Sequence, residues 1–180
     1  ATRRGGEMSF RMNRVLSTVR IRGATIIHAP SNCMNAYKNH PARKNALTTP
    51  RSENLPKEIG KWCYRIDPEH EDAYPIDQTD GGEDDDALEH SQWAAKLKAM
   101  GRNPRSPWKS QTPRLTIKNS DYISDNGEEI WSIMEQRGIE NVVLLGVHTN
   151  MCVLGRPFGL RQMAKNGKNV VLMPSFVNLG

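Results

Sequence analysis

Near the start of the chain, Met8, Met12, Val15, Leu16 and Val19 recur at intervals of three and four with Arg11, Arg14 and Arg20 between them. That spacing predicts an amphipathic helix over 7–22, ended by Gly23. Ala24-Thr25-Ile26-Ile27-His28-Ala29 follows as a short β-branched run closed by Pro30-Ser31-Asn32, the pattern of a buried strand entering a loop. From about Lys38 to Pro113 periodicity is weak. Prolines, charges and isolated aromatics dominate, and one helix is predicted around Leu88 to Met100, stopped by Gly101. An irregular stretch of such length in a compact domain is functional or disordered; a lid or a subunit contact is the functional form expected. Leu115-Thr116-Ile117 predicts a short strand, and 126–137 a helix that buries Ile130, Ile133 and Met134 and ends at Gly138. Asn141-Val142-Val143-Leu144-Leu145-Gly146 is the strongest strand, a continuous apolar run of the kind covered on both faces in parallel sheets. A helix broken near Pro157 then runs to Lys165-Asn166-Gly167, and Asn169 to Met173 predicts a last strand.

Strands alternating with helices through right-handed crossovers predict an α/β fold: a three-layer, open, mostly parallel sheet with helices on both faces. At 180 residues the chain fits one domain, 1–180, interrupted by the irregular insertion at about 38–113. Sites in such sheets lie beyond the carboxyl ends of strands. That rule selects Gly146 to Cys152, His28 to Asn32, and the position just after Ile117.

Composition narrows the function classes. Only 37% of residues are hydrophobic, so the core must draw on the few apolar segments named above, most of them after residue 113. No run approaches the roughly 20 apolar residues of a membrane span, and no signal-peptide core opens the chain; a membrane partner is not expected. Localisation stays open, with the cytoplasm favoured. Cys33, Cys63 and Cys152 are odd in number and at no zinc-finger spacing, which argues for reduced thiols. The net charge of +5 hides a division. Residues 66–95 hold eleven of the twenty acids and no Lys or Arg, leaving a strongly basic remainder. Its charges are scattered, without the interleaved aromatics of a single-strand binder, so nucleic acid is not an expected partner. Were it one, affinity would fall steeply with salt.

The candidate chemistry lies in Gly146-Val147-His148-Thr149-Asn150-Met151-Cys152-Val153, where a strand stops and a thiol sits where a helix begins. Unpaired N–H groups and the helix dipole at such a position favour a thiolate and can hold an oxyanion. A random Cys is more often a small buried hydrophobe; its setting decides otherwise here. Gly-Val-x-Thr-Asn-x-Cys-Val after an apolar strand resembles the nucleophile segment of the isochorismatase-like cysteine hydrolases, which include nicotinamidases. The resemblance covers most of the chain. It implies a triad of Cys, Lys and Asp, with Cys152 the nucleophile and Lys118, at the end of Leu-Thr-Ile, the lysine. A nearby ammonium would favour the thiolate. It further implies an oxyanion hole from the backbone N–H groups of Met151 and Cys152, and a cis peptide between Val147 and His148.

The pattern breaks at the aspartate, which in the family ends an apolar strand before the first helix. No such strand precedes residue 7, and no other Asp is assigned the role. The chain reads as cut at both ends, and marginal stability with poor turnover is expected of it alone. No metal and no cofactor are assigned. The acidic run Asp77 to Asp86 lacks EF-hand spacing, and the metal cluster of nicotinamidases cannot be traced. His148 reads as lining the pocket rather than as a base. Trp62, Trp93 and Trp108 are candidates for stacking on a flat substrate, and Trp131 reads as core. A small-molecule substrate and a homo-oligomer are the partners expected. The leading reading is a hydrolase of an amide or another C–N or carbonyl bond acting through a covalent Cys152 intermediate; the alternative is a non-catalytic member serving in binding or oligomerisation.

Overall fold

A computed structural model describes residues 2–70, 87–104 and 106–178. The chain is mixed α/β with short parallel strands. In order it forms α1 (Thr2–Ile21), β1 (Ile27–His28), α2 (Met34–Tyr37), α3 (Pro41–Thr48), a 3-10 turn (Asp67–His70), α4 (Ala87–Ala99), β2 (Tyr122–Ile123), α5 (Gly127–Gln136), β3 (Asn141–Val147), a π-helical turn (Thr149–Val153), α6 (Leu160–Lys165) and β4 (Asn169–Asn178). No helix among the described residues is long and apolar enough to cross a membrane. The acidic run Asp77 to Asp86 lies outside the described residues.

The strands make two parallel pairs. β1 pairs with β2, Ile27 opposite Tyr122 and His28 opposite Ile123. β3 pairs with β4 from Asn141–Asn169 to Leu144–Leu172, then resumes at Gly146–Val177 after a bulge. Both pairs lean on one core. Ile130, Trp131 and Met134 of α5 pack with Ile59 and Met163, and against them lie Ile27 of β1, Val142 of β3 and Val170 of β4. Asn126 starts α5 by accepting from the backbone N–H groups of Glu128 and Glu129, and its apolar stripe then turns inward.

Three expectations need correction. Leu115 to Ile117 is not a strand. Side chains of α1 take both backbone groups of Thr116: Asn13 accepts from its N–H at 2.8 Å and also donates to the Arg114 carbonyl, while Arg20 Nη2 donates to the Thr116 carbonyl at 3.0 Å; the Leu115 N–H turns back to the Thr112 carbonyl at 3.1 Å. The strand lies five residues later, at Tyr122–Ile123. The weakly patterned stretch from Lys38 holds another helix besides the one expected around Leu88 to Met100. Its Ile59 is 2% exposed in the central cluster, and it contains α3, whose inner face is made by Ala42 and Ala46. Two alanines leave almost no hydrophobic signal, yet Pro41 at the first turn and the His40 ring, which accepts from the Ala42 N–H, start the helix. Finally, β3 is not covered on both faces. Val143 and its register partner Val171 are 51% and 58% exposed, so one face of the β3–β4 pair is open. The last strand also runs on to Asn178, well past Met173.

Candidate active site

Past the carboxyl end of β3 the backbone turns through His148 and winds a wide π-helical turn, closed by the Val153 N–H on the His148 carbonyl at 3.0 Å. Helical structure therefore begins three residues before Cys152. The peptide joining Val147 and His148 is cis. The Met151 N–H faces the His148 carbonyl at 3.4 Å, a long hydrogen bond. Met151 and His148 are exposed, and no hydrogen bond joins the His148 ring to the Cys152 sulfur.

The three thiols differ in their surroundings. Cys33 is 2% exposed and donates to the Ser31 carbonyl at 3.1 Å; Cys63 is 7% exposed and donates to the Arg65 carbonyl at 3.3 Å. Burial pushes the Cys33 thiol up, the nearby Asp125 carboxylate adds to that, and Arg156 partly opposes it. Cys152 is only half-buried, and no hydrogen bond fixes its sulfur among the described residues.

Lys118 is exposed and opens a tight turn. Its N–H donates to Asp121 Oδ2 at 2.8 Å, and the Asp121 N–H donates back to its carbonyl at 3.0 Å. With no strand at 115–117, Lys118 precedes β2 instead of following a strand end. The structure does not bring its ammonium into a bond with Cys152.

The turn belongs to a buried polar cluster that the sequence did not reveal. Asp121, 3% exposed, accepts from Arg20 Nε at 2.8 Å and Arg20 Nη2 at 2.6 Å, and its Oδ2 lies 3.1 Å from His28 Nε2. Burial works against the charged carboxylate, but hydrogen bonds from Arg20, the Lys118 N–H and His28 prevail and hold Asp121 below the usual carboxylate range. His28 is held low chiefly by burial, which outweighs its bond to Asp121. A neutral ring that donates from Nε2 to Asp121 leaves Nδ1 an acceptor facing Gln111 Oε1 at 3.2 Å; with the Gln111 amide turned end for end, its otherwise unpartnered Nε2 donates there. The cluster joins α1, β1 and the segment before β2.

Around the carboxyl ends of β1 and β3, other segments converge. The Cys63 N–H donates to the Gly155 carbonyl at 2.8 Å, which seats Trp62 against the turn after Cys152. A Cβ on Gly155 would stand 3.1 Å from Trp62 Cε3, so glycine permits this approach. The buried Gln162 amide holds the turn leading to Trp62, donating at 3.0 Å to both the Glu58 and Lys61 carbonyls. Trp108 Nε1 donates to the Ser31 carbonyl at 2.6 Å in the loop after β1. Asp125, just past β2, accepts from the Asn32 N–H at 3.0 Å. Trp131 is core, as its helical position implied, and Trp93 stands on α4 beside His90.

Arg156 is the residue that sequence reasoning missed. It is 8% exposed, with its guanidinium carbon 5.4 Å from the Trp62 ring and 5.7 Å from that of Phe158. Its signal was an arginine four residues after the cysteine in an apolar segment, Cys152-Val153-Leu154-Gly155-Arg156. Among the described residues no three His, Cys, Asp or Glu side chains gather to hold a metal ion. A shallow groove lined by Phe10, Asn13, Arg14, Ser17, Thr18 and Thr116 runs along α1, and no candidate residue lines it. Comparison with protein-family models, with curated proteins and with solved structures finds no match.

Proposed function

We propose that the chain is a cysteine hydrolase of the isochorismatase-like kind, acting on an amide or related carbonyl compound through a covalent intermediate on Cys152. One observation carries the reading: of three thiols, the one past the carboxyl end of β3, in the longer strand pair, is half-buried and unbonded among the described residues, while the other two are buried and tied to carbonyls. The turn that holds it is π-helical, a rare form frequent at functional sites. The two parallel strand pairs, leaning on one α5 core, are read as parts of one open three-layer sheet, which would put the ends of β1, β2 and β3 on a common rim.

In this scheme the Cys152 thiolate attacks the carbonyl carbon, the C–N bond breaks, and the amine leaves with a proton. Water then cleaves the thioester and restores the thiol, so amide and water become acid and amine. Lys118 keeps the role of the cation beside the thiolate, which requires its exposed side chain to swing toward Cys152. The aspartate role remains unassigned.

Alkylation by iodoacetamide with site-resolved digestion tests the nucleophile. Cys152 in the native chain is expected to react faster than Cys33 and Cys63, and faster than itself in the urea-unfolded chain. A native rate at or below the unfolded rate would mean exposure without activation, and would refute the reading. The alternative, a non-catalytic binding or oligomerisation domain, is favoured by a different observation. Val143 and Val171 form an exposed apolar pair on the β3–β4 face, with Val147 also 47% exposed. Inert Cys152 together with self-association in sedimentation velocity would support it.

A further inference from the structure

Among the described residues most buried or half-buried cations have carboxylate partners; Arg102, half-buried, bonds the Pro107 carbonyl instead, and Arg156 is the deeply buried one without a partner carboxylate. Arg20 is paired with Asp121, Arg43 with Glu129, Arg161 with Glu69, and Lys168 with Glu135 and Glu140. Arg156 is as deeply buried as these and pairs with no carboxylate among the described residues. Its Nε is sealed from solvent with no acceptor. A buried guanidinium is costly unless an anion offsets it, and its five N–H donors require acceptors. The rings of Trp62 and Phe158 attract the charge, but they do not supply hydrogen-bond acceptors. Asp125, just past β2, accepts from the Asn32 N–H and forms no ion pair with Arg156.

Its location is informative. The Arg156 N–H donates to the Cys152 carbonyl at 3.3 Å, an i to i+4 contact that sets the two residues one turn apart. Arg156 also favours the charged form of the Cys33 thiol, in the loop leaving β1, against the larger effect of burial. Aromatic walls exclude water, which strengthens the pull on an anion that enters through the part of the side chain still open.

We propose that Arg156 is the receptor for a carboxylate on the molecule that Cys152 attacks, so that the substrate is a small anionic amide with its carboxylate a few bonds from the reacting carbonyl. This rests on the reading of Cys152 as the nucleophile. A planar carboxylate suits the in-plane fork of a guanidinium, and a turn of helix sets the separation of the two groups.

The test compares iodoacetate with iodoacetamide at Cys152. Both form an Sγ–C bond as the C–I bond breaks and iodide leaves, and they differ only in the carboxylate. With glutathione as the reference thiol in the same buffer, the iodoacetate to iodoacetamide rate ratio at Cys152 is expected to be at least about tenfold higher than for glutathione, as one charge-assisted contact provides. The excess should vanish in Arg156→Gln and return in part in Arg156→Lys. Should Arg156→Gln fail to fold, sodium acetate at constant ionic strength serves with the unaltered chain: it should slow iodoacetate and leave iodoacetamide unchanged. A ratio at or below that of glutathione, or equal slowing of both reagents, would overturn the proposal. The two readings separate cleanly. Fast iodoacetamide with a low ratio keeps the nucleophile and removes the anion site, whereas slow iodoacetamide with a high ratio does the reverse.

Discussion

Asp121 is the residue whose loss should cost the fold most for the fewest atoms changed. Its carboxylate takes four donors: Arg20 Nε on Oδ1, and Arg20 Nη2, His28 Nε2 and the Lys118 N–H on Oδ2. In Asp121→Asn the amide oxygen does best at the Oδ2 position, where it keeps three donors, and the NH2 then faces Arg20 Nε, donor against donor. The charge that offsets Arg20 is gone, with the Arg20 side chain only 13% exposed. Removing one partner of a buried pair costs about 3–5 kcal/mol, and the surviving bonds place Asn near the lower end, about 3 kcal/mol. Asp121→Ala leaves Arg20 Nε, His28 Nε2 and the Lys118 N–H without an acceptor, Arg20 Nη2 keeping only the Thr116 carbonyl, and belongs at the upper end. Against a domain stability of about 5–15 kcal/mol either loss is large. Urea unfolding followed by tryptophan fluorescence and far-UV circular dichroism measures it; with a slope of about 2 kcal/mol per molar, Asn should lower the midpoint by about 1.5 M. Were Asp121→Ala to shift the midpoint by less than about 0.5 M, the pair would have the worth of an exposed one, and the cluster would not be what ties α1 and β1 to the segment before β2.

The same cluster sets a pH dependence. His28 is depressed by burial, so the folded chain resists a proton that the unfolded chain accepts; stability is full above the ordinary histidine range and falls as pH drops below about 6.5, by up to about 1.4 kcal/mol per unit. Asp121 is also depressed, and its contribution is lost only further down, as pH falls below about 4, so urea midpoints from pH 8 to pH 3 should decline in two stages. A flat profile between pH 7 and pH 5 would show that His28 is not buried neutral. Gly127→Ala should destabilise by about 1–3 kcal/mol, because its Cβ would stand 2.1 Å from the Ile59 carbonyl oxygen and 2.5 Å from Pro157 Cβ. Gly60→Ala, whose Cβ meets nothing nearer than Glu128 Cγ at 3.8 Å, should stay within about 0.5 kcal/mol of the parent, and equal effects of the two would refute the packing argument.

What the sequence made legible were elements whose own residues determine them. The apolar stripe and Asn126 cap of α5, the run that makes β3, and the glycines at 23, 101, 138 and 167, all at positive φ, mark their structures locally. What it hid depends on distant partners. Leu115 to Ile117 has the composition of a strand, but Asn13 and Arg20, about a hundred residues away, take the backbone bonds of its Thr116. Ala42 and Ala46 disappear from a hydrophobic pattern because small residues let α3 come close, and close approach is what they contribute. The candidate site divides in the same way. Cys152 could be singled out because a strand end and a turn are local features, whereas Lys118 is named through the family resemblance and placed at the end of a strand that does not form. Arg156 carries only the weak mark of standing four residues after the cysteine, and an arginine in Gly-Arg-Pro-Phe reads as any surface cation until its burial is known. Charge makes the difference: a hydrophobic side chain that is buried has reached its expected state, whereas a buried guanidinium without a carboxylate implies an anion from elsewhere. That asymmetry is why the structure adds most to the functional reading at a residue whose position along the chain is too weak a signal to select it.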